Sequence, residues 1–171
     1  MTKEEIRILS IAKLEIEEDY NLLDIGAGTG SISIQMSKCS PKGKVVAIEM
    51  DEEALKVIYK NKEKFNAENL QVIEGEALQV EKDIKETFDG IFIGGSGGNI
   101  TEIIESYSQK LKPKGKIVLN FITINNLYLA METLKKLGFK TECVQIGVSK
   151  TRGNSYMLVA GNPIFIISGS R

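Results

Sequence analysis

The order of hydrophobic and polar positions predicts strands that alternate with helices along most of the chain. Short apolar runs rich in β-branched residues are typical of buried strands, whereas apolar residues spaced three or four apart are typical of helices packed on a sheet. Strands are predicted in this way at residues 21–25, 44–49, 70–74, 88–93 and 116–121. The helices between and after them are predicted at residues 31–37, 52–64, 100–111 and 127–137. This alternation predicts a parallel sheet covered by helices on both faces.

The two ends of the chain depart from this alternation. Residues 2–5 (TKEE) fit the capping-box pattern that begins a helix, with Thr2 as the cap and Glu5 three positions on. Near the other end, residues 139–148 and 156–160 are predicted to be two strands of an antiparallel hairpin, joined by the polar turn 150–154. The expected fold is a Rossmann-like α/β fold in a single domain over residues 1–171. Its sheet is doubly wound, mostly parallel and seven-stranded, with an antiparallel C-terminal hairpin.

Composition and charge exclude several functions. Of the residues, 42% are hydrophobic and 26% are charged, and no apolar run is long enough to span a membrane. The polar first residues are unlike a secretory signal, so we expect a cytoplasmic protein. A net charge of −1 gives no excess of positive charge for a nucleic-acid backbone. The chain has no histidine, and Cys39 and Cys143 lack metal-ligand spacing, so imidazole catalysis is excluded and no metal site is expected.

A glycine-rich turn follows the first strand of the predicted sheet, at residues 24–30 (DIGAGTG). In an open α/β sheet, ligands bind beyond the carboxyl ends of the strands, and glycine lets the backbone approach them closely. The spacing differs from the dinucleotide fingerprint, because that pattern needs Gly or Ala at position 31, where this chain has Ser31. Asp24 would repel a pyrophosphate but suits the ammonium group of a ligand such as S-adenosylmethionine. The turn therefore predicts an S-adenosylmethionine site.

Acidic side chains follow the next two strands of the predicted sheet. Glu49 ends the second of its strands, where a carboxylate can accept both hydroxyl groups of a ribose. Asp51 is an alternative for that role, although Glu49 terminates the apolar run directly. Glu76 and Ala77 follow the third strand, where they are expected to border an adenine. Each feature alone is also explained by a tight turn or a solvated strand end, but their order along the chain favours cofactor binding.

Several motifs together resemble class I S-adenosylmethionine-dependent methyltransferases. They are the loop 24–30, Glu49, residues 75–77 (GEA) and residues 111–115 (LKPKG). One family within that class is similar over nearly the whole chain: the decarboxylating cobalt-precorrin-6B C15-methyltransferases of anaerobic cobalamin synthesis. The motifs of this closer similarity are residues 1–7 (MTKEEIR), 92–98 (FIGGSGG) and 163–167 (PIFII). Members of that family usually carry a further short segment before the stretch that begins at Met1 here.

The resemblance implies a set of cofactor contacts and a reaction. Thr2 is one such contact, although the capping box also explains a threonine there with no ligand. Together with the acidic positions above, the candidate cofactor-binding residues are Thr2, Asp24, Gly26, Ala27, Gly28, Thr29, Gly30, Glu49, Glu76 and Ala77. The implied reaction is methylation at C15 of cobalt-precorrin-6B, a tetrapyrrole of the precorrin-6Y type. It is coupled to loss of the ring-C acetate carboxyl as carbon dioxide.

The loop 94–98, after the fourth strand of the predicted sheet, is expected to face the methyl acceptor. It lacks the proline and the aromatic residue with which adenine N6-methyltransferases bind a flipped base. A glycine-rich loop leaves room for a broad, flat substrate, although a turn with unusual φ values is an alternative reason for the glycines. The candidate substrate-binding residues are Gly95, Ser96, Gly97, Asn120 and Arg152, the last as a clamp for substrate carboxylates. No catalytic acid or base is identified, because the macrocycle can itself supply the electrons while the enzyme aligns the methyl group.

The residues alone leave two other functions open. One is a class I methyltransferase that acts on tRNA or protein, and the other is a non-catalytic S-adenosylmethionine-binding subunit beside a partner enzyme. The apolar tail 162–168 (NPIFIIS) predicts a homo-oligomer in which the tail pairs across subunits as an extra strand, and the family resemblance implies a tetramer. The sequence leaves open whether a separate C5-methyltransferase docks and whether cobalt is already in the ring.

Overall fold

The fold is built on a seven-stranded sheet. This computed structural model describes residues 3–95, 98–154 and 156–171. The strands of the sheet are β1 (Leu22–Ile25), β2 (Val45–Glu49), β3 (Leu70–Glu74), β4 (Phe88–Ile93), β5 (Leu111–Phe121), β6 (Lys140–Ile146) and β9 (Ile164–Ser170). Their order across the sheet is β3-β2-β1-β4-β5-β9-β6. Two further strands, β7 (Ser149–Arg152) and β8 (Met157–Ala160), pair with each other as a separate antiparallel hairpin.

Helices cover both faces of this sheet. They are α1 (Glu4–Leu14), α2 (Ser31–Cys39), α3 (Glu52–Lys64), α4 (Ala77–Val80), α5 (Ile100–Tyr107) and α6 (Ile124–Lys136). Short 3₁₀ turns follow α4 at Glu81–Asp83 and α5 at Ser108–Lys110. The apolar sides of α1, α2 and α3 pack on one face, and those of α5 and α6 pack on the other. Strands β1 and β2 are buried along their whole length because both of their faces are covered, which explains their continuously apolar sequences.

The chain reverses its direction of winding at β1. Strand β1 pairs in parallel with β2 on one side and with β4 on the other. From β1 the chain moves outward through β2 to β3, and from β4 it moves outward the opposite way to β5. The helices that follow β1 and β4, α2 and α5, therefore lie on opposite faces of the sheet, and a crevice is left at the carboxyl ends of the two strands, where ligands bind in open α/β sheets. The predicted fold class, doubly wound and mostly parallel, is confirmed.

The pairing predicted for the C-terminal third is wrong in detail. Residues 139–148 and 156–160 do not form one hairpin, because β6 pairs with β9 and the hairpin consists of β7 and β8. The tail that was expected to pair across subunits forms β9, which is antiparallel to β5 on one side and to β6 on the other. Ile166 and Ile167 at its centre are 1% and 0% exposed. The tail is therefore an internal strand, held by hydrogen bonds along both edges.

Several helix boundaries also differ from prediction, including the end of α2 at Cys39 rather than 37 and the start of α6 at Ile124 rather than 127. Helix α1 begins at Glu4 with Lys3 at the cap position, and the Lys3 side chain makes no capping hydrogen bond. The predicted cap, Thr2, lies outside the described residues. Helix α5 ends at Tyr107 rather than at 111, and β5 already begins at Leu111, with a shift in its pairing to β4 between Phe88 and Gly90.

Within residues 3–95, 98–154 and 156–171, no helix is long and apolar enough to cross a membrane. The cytoplasmic location expected from the sequence stays a prediction.

Candidate cofactor and substrate site

The glycine-rich turn after β1 closes the end of the strand against its neighbours. The backbone N–H groups of Gly26 and Ala27 both donate to the carbonyl of Ile48 in β2, at 3.0 Å. Gly26 has a φ of +70°, and a Cβ built on it would lie 2.7 Å from the backbone oxygen of Gly95. Only glycine fits this position, because the loops after β1 and β4 touch here. The contact fixes the floor of the crevice.

The later part of the turn packs against a helix and does not line the crevice. Gly30 has a φ of +76°, and a Cβ there would lie 2.4 Å from the Ile58 side chain of α3. Two cavities meet at the crevice, and Gly26, Ala27 and Gly28 border them, but Thr29 and Gly30 do not. Thr29 instead borders a separate cavity between α2 and α3. The cofactor contacts expected of Thr29 and Gly30 stay predictions, and the structure gives Gly30 a role in the close packing of α2 on α3.

Asp24 is a fully buried carboxylate on the wall of the first cavity. The Ser33 hydroxyl of α2 donates to its Oδ2 atom. Its Oδ1 atom is buried and has no hydrogen-bond partner among the described residues. Burial raises the pKa of Asp24 to about 7; the nearby Glu49 charge adds to the rise and the Ser33 hydrogen bond opposes it. A carboxyl group in this state is stabilised as an anion by any ligand that brings a positive charge to Oδ1.

Glu49 ties the glycine turn to the end of β2. Its Oε2 atom accepts a hydrogen bond from the Gly28 N–H at 2.6 Å, and its Oε1 atom accepts from the N–H groups of Met50 and Asp51, both at 2.9 Å. A carboxylate has about four acceptor positions, so Glu49 keeps about one for a ligand hydroxyl. Glu49 can therefore accept both hydroxyl groups of a ribose only if the hydrogen bond from the Gly28 N–H to its Oε2 atom breaks. The alternative ribose ligand, Asp51, is engaged as the N-cap of α3, where it accepts from the Ala54 N–H.

The second cavity, of about 230 Å³, is largely apolar. Ile25, Ile48, Met50, Ala77 and Ile103 form its apolar lining, and the polar side chains of Glu49, Glu76 and Asn99 also border it. The Glu76 carboxylate caps α4 by accepting from the Gln79 N–H at 3.1 Å, so the helix explains part of its presence. Gly26 lines both cavities and marks where they join. The largely apolar lining fits a heterocycle attached to a sugar that reaches Glu49.

The first cavity, of about 430 Å³, is the larger and extends to α1 and to the chain before β9. Its polar side chains are Lys3, Asp24, Ser31, Asn120 and Asn162. Asn120 is held by α1, because its Nδ2 atom donates to the Ser10 hydroxyl at 2.9 Å and that hydroxyl bonds the carbonyl of Ile6. The predicted Asn120 thus lies in the cavity, as expected. Lys3 and Asn162 were not predicted as site residues, although they lie in the stretch 1–7 and at the start of the tail 162–168, because only the tertiary fold brings them together.

The remaining predicted site residues are Gly95 and Arg152, which the structure describes, and three that lie outside the described residues. Gly95 borders the second cavity, beside Gly26. Arg152 lies in neither cavity but in a groove along the β7–β8 hairpin, which adjoins the first cavity at Lys3. Thr2, Ser96 and Gly97 lie outside the described residues. Apolar lining residues such as Met50, Phe92 and Ile103 were also missed, because an isolated apolar position in a sequence is indistinguishable from core.

The fold and the two joined cavities define a class I methyltransferase. A SAM-dependent O-methyltransferase from Thermotoga maritima, 18% identical, shares this fold with a TM-score of 0.81 over 99% of this chain and 66% of its own. The sequence model of the precorrin methyltransferase domain matches residues 1–168, and the chain belongs to that family. The family resemblance noted in the sequence is thereby confirmed.

Several relatives share nearly the full length of this chain. A probable cobalt-precorrin-6B C(15)-methyltransferase (decarboxylating) from Sulfolobus acidocaldarius is 41% identical over 100% of this chain and 90% of its own length. A cobalt-precorrin-6B C(15)-methyltransferase (decarboxylating) from Salmonella typhimurium is 36% identical over 98% of this chain and 88% of its own. The crystal structure of a precorrin-6y C5,15-methyltransferase from Geobacter metallireducens is 37% identical, with a TM-score of 0.96 over 100% of this chain and 89% of its own.

Proposed function

We propose that the two cavities bind S-adenosylmethionine, with its methionine end in the first cavity and its adenosine in the second. The single observation that carries this proposal is the unpartnered Oδ1 atom of the buried Asp24, which fits the ligand's ammonium group. The remaining acceptor position of Glu49 fits a ribose hydroxyl, and the apolar lining around Met50 and Ala77 fits an adenine. The sulfonium methyl group would supply the electrophile of the reaction.

We further propose that the acceptor is C15 of cobalt-precorrin-6B, with loss of the ring-C acetate carboxyl as carbon dioxide. This proposal follows the names of relatives that are 36–41% identical over nearly the whole chain. The first cavity supports it, because Asn120 and Asn162 border it and their amides can hydrogen-bond the periphery of a macrocycle. Methylation of a carbon in an electron-rich macrocycle needs alignment more than acid–base catalysis. Of the five polar side chains of the cavity, only Lys3 and Asp24 carry a titratable group, and Asp24 is assigned to the ammonium group of the cofactor.

The test measures two products of the reaction with the purified protein. Cobalt-precorrin-6B is incubated with S-adenosylmethionine carrying a labelled methyl group, and both methyl incorporation and carbon dioxide release are measured. We expect both products in equal amounts. Cofactor binding without either product would show a non-catalytic binding subunit, and label transferred to tRNA or protein instead would show a different acceptor; each result would overturn the proposal.

We also propose that the chain self-associates through the β7–β8 hairpin rather than through the tail. Tyr156, Met157 and Leu158 on this hairpin are 79%, 59% and 68% exposed. A run of large exposed apolar side chains on a projecting hairpin is typical of an interface. The tetramer implied by the family resemblance is then assembled by hairpin contacts, and light scattering of the purified protein measures the number of subunits.

A further inference from the structure

A cationic groove runs from the first cavity along the β7–β8 hairpin. Its volume is about 410 Å³, and its charged lining residues are Lys3, Lys150 and Arg152. Lys3 also borders the first cavity, so the groove and the cavity adjoin at this side chain. No acidic side chain of the described residues lines the groove. Any ligand that extends out of the first cavity past Lys3 therefore enters a region of positive charge.

The hairpin presents these cations toward the body of the protein. Lys150 pairs with Val159 across the hairpin, and Arg152 pairs with Met157. Residues two apart on one strand share a face, so Lys150 and Arg152 point to the same side. The Lys150 Nζ atom lies 2.6 Å from Oε1 of Glu5 in α1, which fixes this side as the one that faces α1 and the groove.

Glu5 partly neutralises this face in the free protein. It pairs with Lys150, and its Oε2 atom is buried with no hydrogen-bond partner among the described residues. Arg152 forms no ion pair or side-chain hydrogen bond within residues 3–95, 98–154 and 156–171. Its planar guanidinium suits bidentate recognition of a carboxylate, whereas an ammonium such as that of Lys3 acts as a point charge.

We propose that this groove binds peripheral carboxylate side chains of the tetrapyrrole acceptor. Arg152 and Lys3 bind carboxylates directly, and Glu5 competes with the substrate for Lys150. The inference rests on the proposed function for its choice of acceptor, and it adds the residues that select a polycarboxylate. The proposal predicts that substitutions of Lys150 and Glu5 change the KM for the acceptor in opposite directions. A purely structural role for this ion pair would not produce opposite changes.

Steady-state kinetics of three variants test the groove. We expect Arg152→Ala to raise the KM for cobalt-precorrin-6B by about tenfold, with a smaller change in kcat. Lys150→Ala should raise this KM, and Glu5→Gln should lower it by about threefold, because Lys150 is released. The Kd for S-adenosylmethionine should stay the same in all three. The matched control is Lys136→Ala, which removes an exposed lysine at the end of α6, away from the groove.

A binding assay separates failure of the groove from failure of the proposed reaction. The fluorescence of uroporphyrin, a stable polycarboxylic tetrapyrrole, reports binding without turnover, and coproporphyrin carries fewer carboxylates. We expect wild-type protein to bind uroporphyrin more tightly than coproporphyrin and Arg152→Ala to lose the difference. Absence of turnover with the wild-type preference intact would overturn the proposed reaction and leave the groove. Equal binding by wild-type protein and Arg152→Ala, or an Arg152-dependent affinity for an RNA oligonucleotide in place of uroporphyrin, would overturn the groove.

Discussion

The proposed contact between Asp24 and the cofactor ammonium group would couple cofactor binding to protonation of this side chain. Its pKa is raised to about 7 by burial, so near neutral pH the free protein holds a mixture of the acid and the anion. A ligand ammonium at Oδ1 favours the anion and lowers this pKa. The charged groups that face the same region are Glu49, whose charge adds to the rise, and Lys3, which borders the same cavity.

We therefore expect the affinity for S-adenosylmethionine to fall as the pH is lowered below about 7, by up to about tenfold per pH unit. Titration calorimetry between pH 5.5 and 7 checks this, in buffers of different ionisation enthalpy, since binding should release a proton. The α-amino group of the ligand stays protonated in this window, so it does not confuse the result. A pH-independent affinity would contradict a role for the Asp24 anion.

The same residue destabilises the free protein at neutral pH. The folded pKa of about 7 lies above the ordinary value of 3.8, so between these values the folded state holds more protons than the unfolded state. The free energy of unfolding therefore falls as the pH rises from about 4 to about 7. Asp24→Asn, which stays neutral, should be more stable than wild type above pH 7 by on the order of a few kcal/mol, and close to it at pH 4.

Chemical denaturation of both proteins at several pH values measures this difference. The variant should also bind S-adenosylmethionine weakly at every pH, because it has lost the anion. A variant that is less stable than wild type at pH 8 would show that the anion is stabilised in the free protein, against the pKa direction given above.

Sequence reasoning succeeds at the residue scale where a side chain's chemistry follows from its place after a strand. Asp24 and Glu49 were found in this way, because the ends of parallel strands meet in one crevice. It fails where a residue reaches the site only through tertiary packing. Lys3 lies in the stretch 1–7 and Asn162 begins the tail 162–168, but only tertiary packing brings the two to one cavity. The cofactor contact predicted for Gly30 stays a prediction, and its left-handed backbone and the nearby Ile58 also give it a packing role.

At the scale of elements, Gly30 sets how closely α2 and α3 approach. A Cβ at this position would overlap the Ile58 side chain at 2.4 Å, in addition to the strain of a φ of +76°. We expect Gly30→Ala to lower the free energy of unfolding by about 2–4 kcal/mol. Gly138→Ala is the matched control, because Gly138 has a φ of +80° but open space around it, and it should cost only about 1 kcal/mol.

Urea denaturation of both glycine variants checks the difference between them. In the double variant Gly30→Ala/Ile58→Val the facing side chain is shorter. It should recover part of the free energy of unfolding that Gly30→Ala loses, since the two sites are in contact. Equal losses in Gly30→Ala and Gly138→Ala would mean that backbone strain alone decides, and that the contact with α3 has no energetic role.

The C-terminal elements show why strand pairing resists prediction. A period-two pattern identifies a strand but not the strand with which it pairs. The predicted strands within residues 139–160 and the tail 162–168 could each pair at the edge of a sheet. Strand β6 has mostly exposed residues, because it is the edge of the sheet, and β9 is covered on both edges by β5 and β6. The tail was predicted to pair with a partner subunit because it is apolar at its centre, a pattern that fits pairing within the sheet equally well.

At the scale of the whole molecule, β9 contributes to the stability of the fold, whereas the β7–β8 hairpin is the element that we propose for assembly. Ile167 is fully buried at the middle of β9, whereas Leu158 is 68% exposed on the hairpin. On the hairpin Leu158 pairs with Thr151, so it faces away from the side that carries Lys150 and Arg152. The face that carries Leu158 is thus available for a second copy of the chain, whereas Met157, which pairs with Arg152, lies on the face that borders the cationic groove.

We expect Ile167→Ala to lower the free energy of unfolding by about 2–5 kcal/mol, because it leaves a cavity in the core. Leu158→Ser should instead leave the secondary structure intact and reduce the oligomer to smaller species, because it replaces an exposed apolar contact with a polar one. Light scattering at several protein concentrations, together with circular dichroism, distinguishes the two effects. An oligomer that is unaffected by Leu158→Ser and is dissociated by Ile167→Ala in a folded chain would return the subunit contact to the tail. It would also overturn the assignment of assembly to the hairpin.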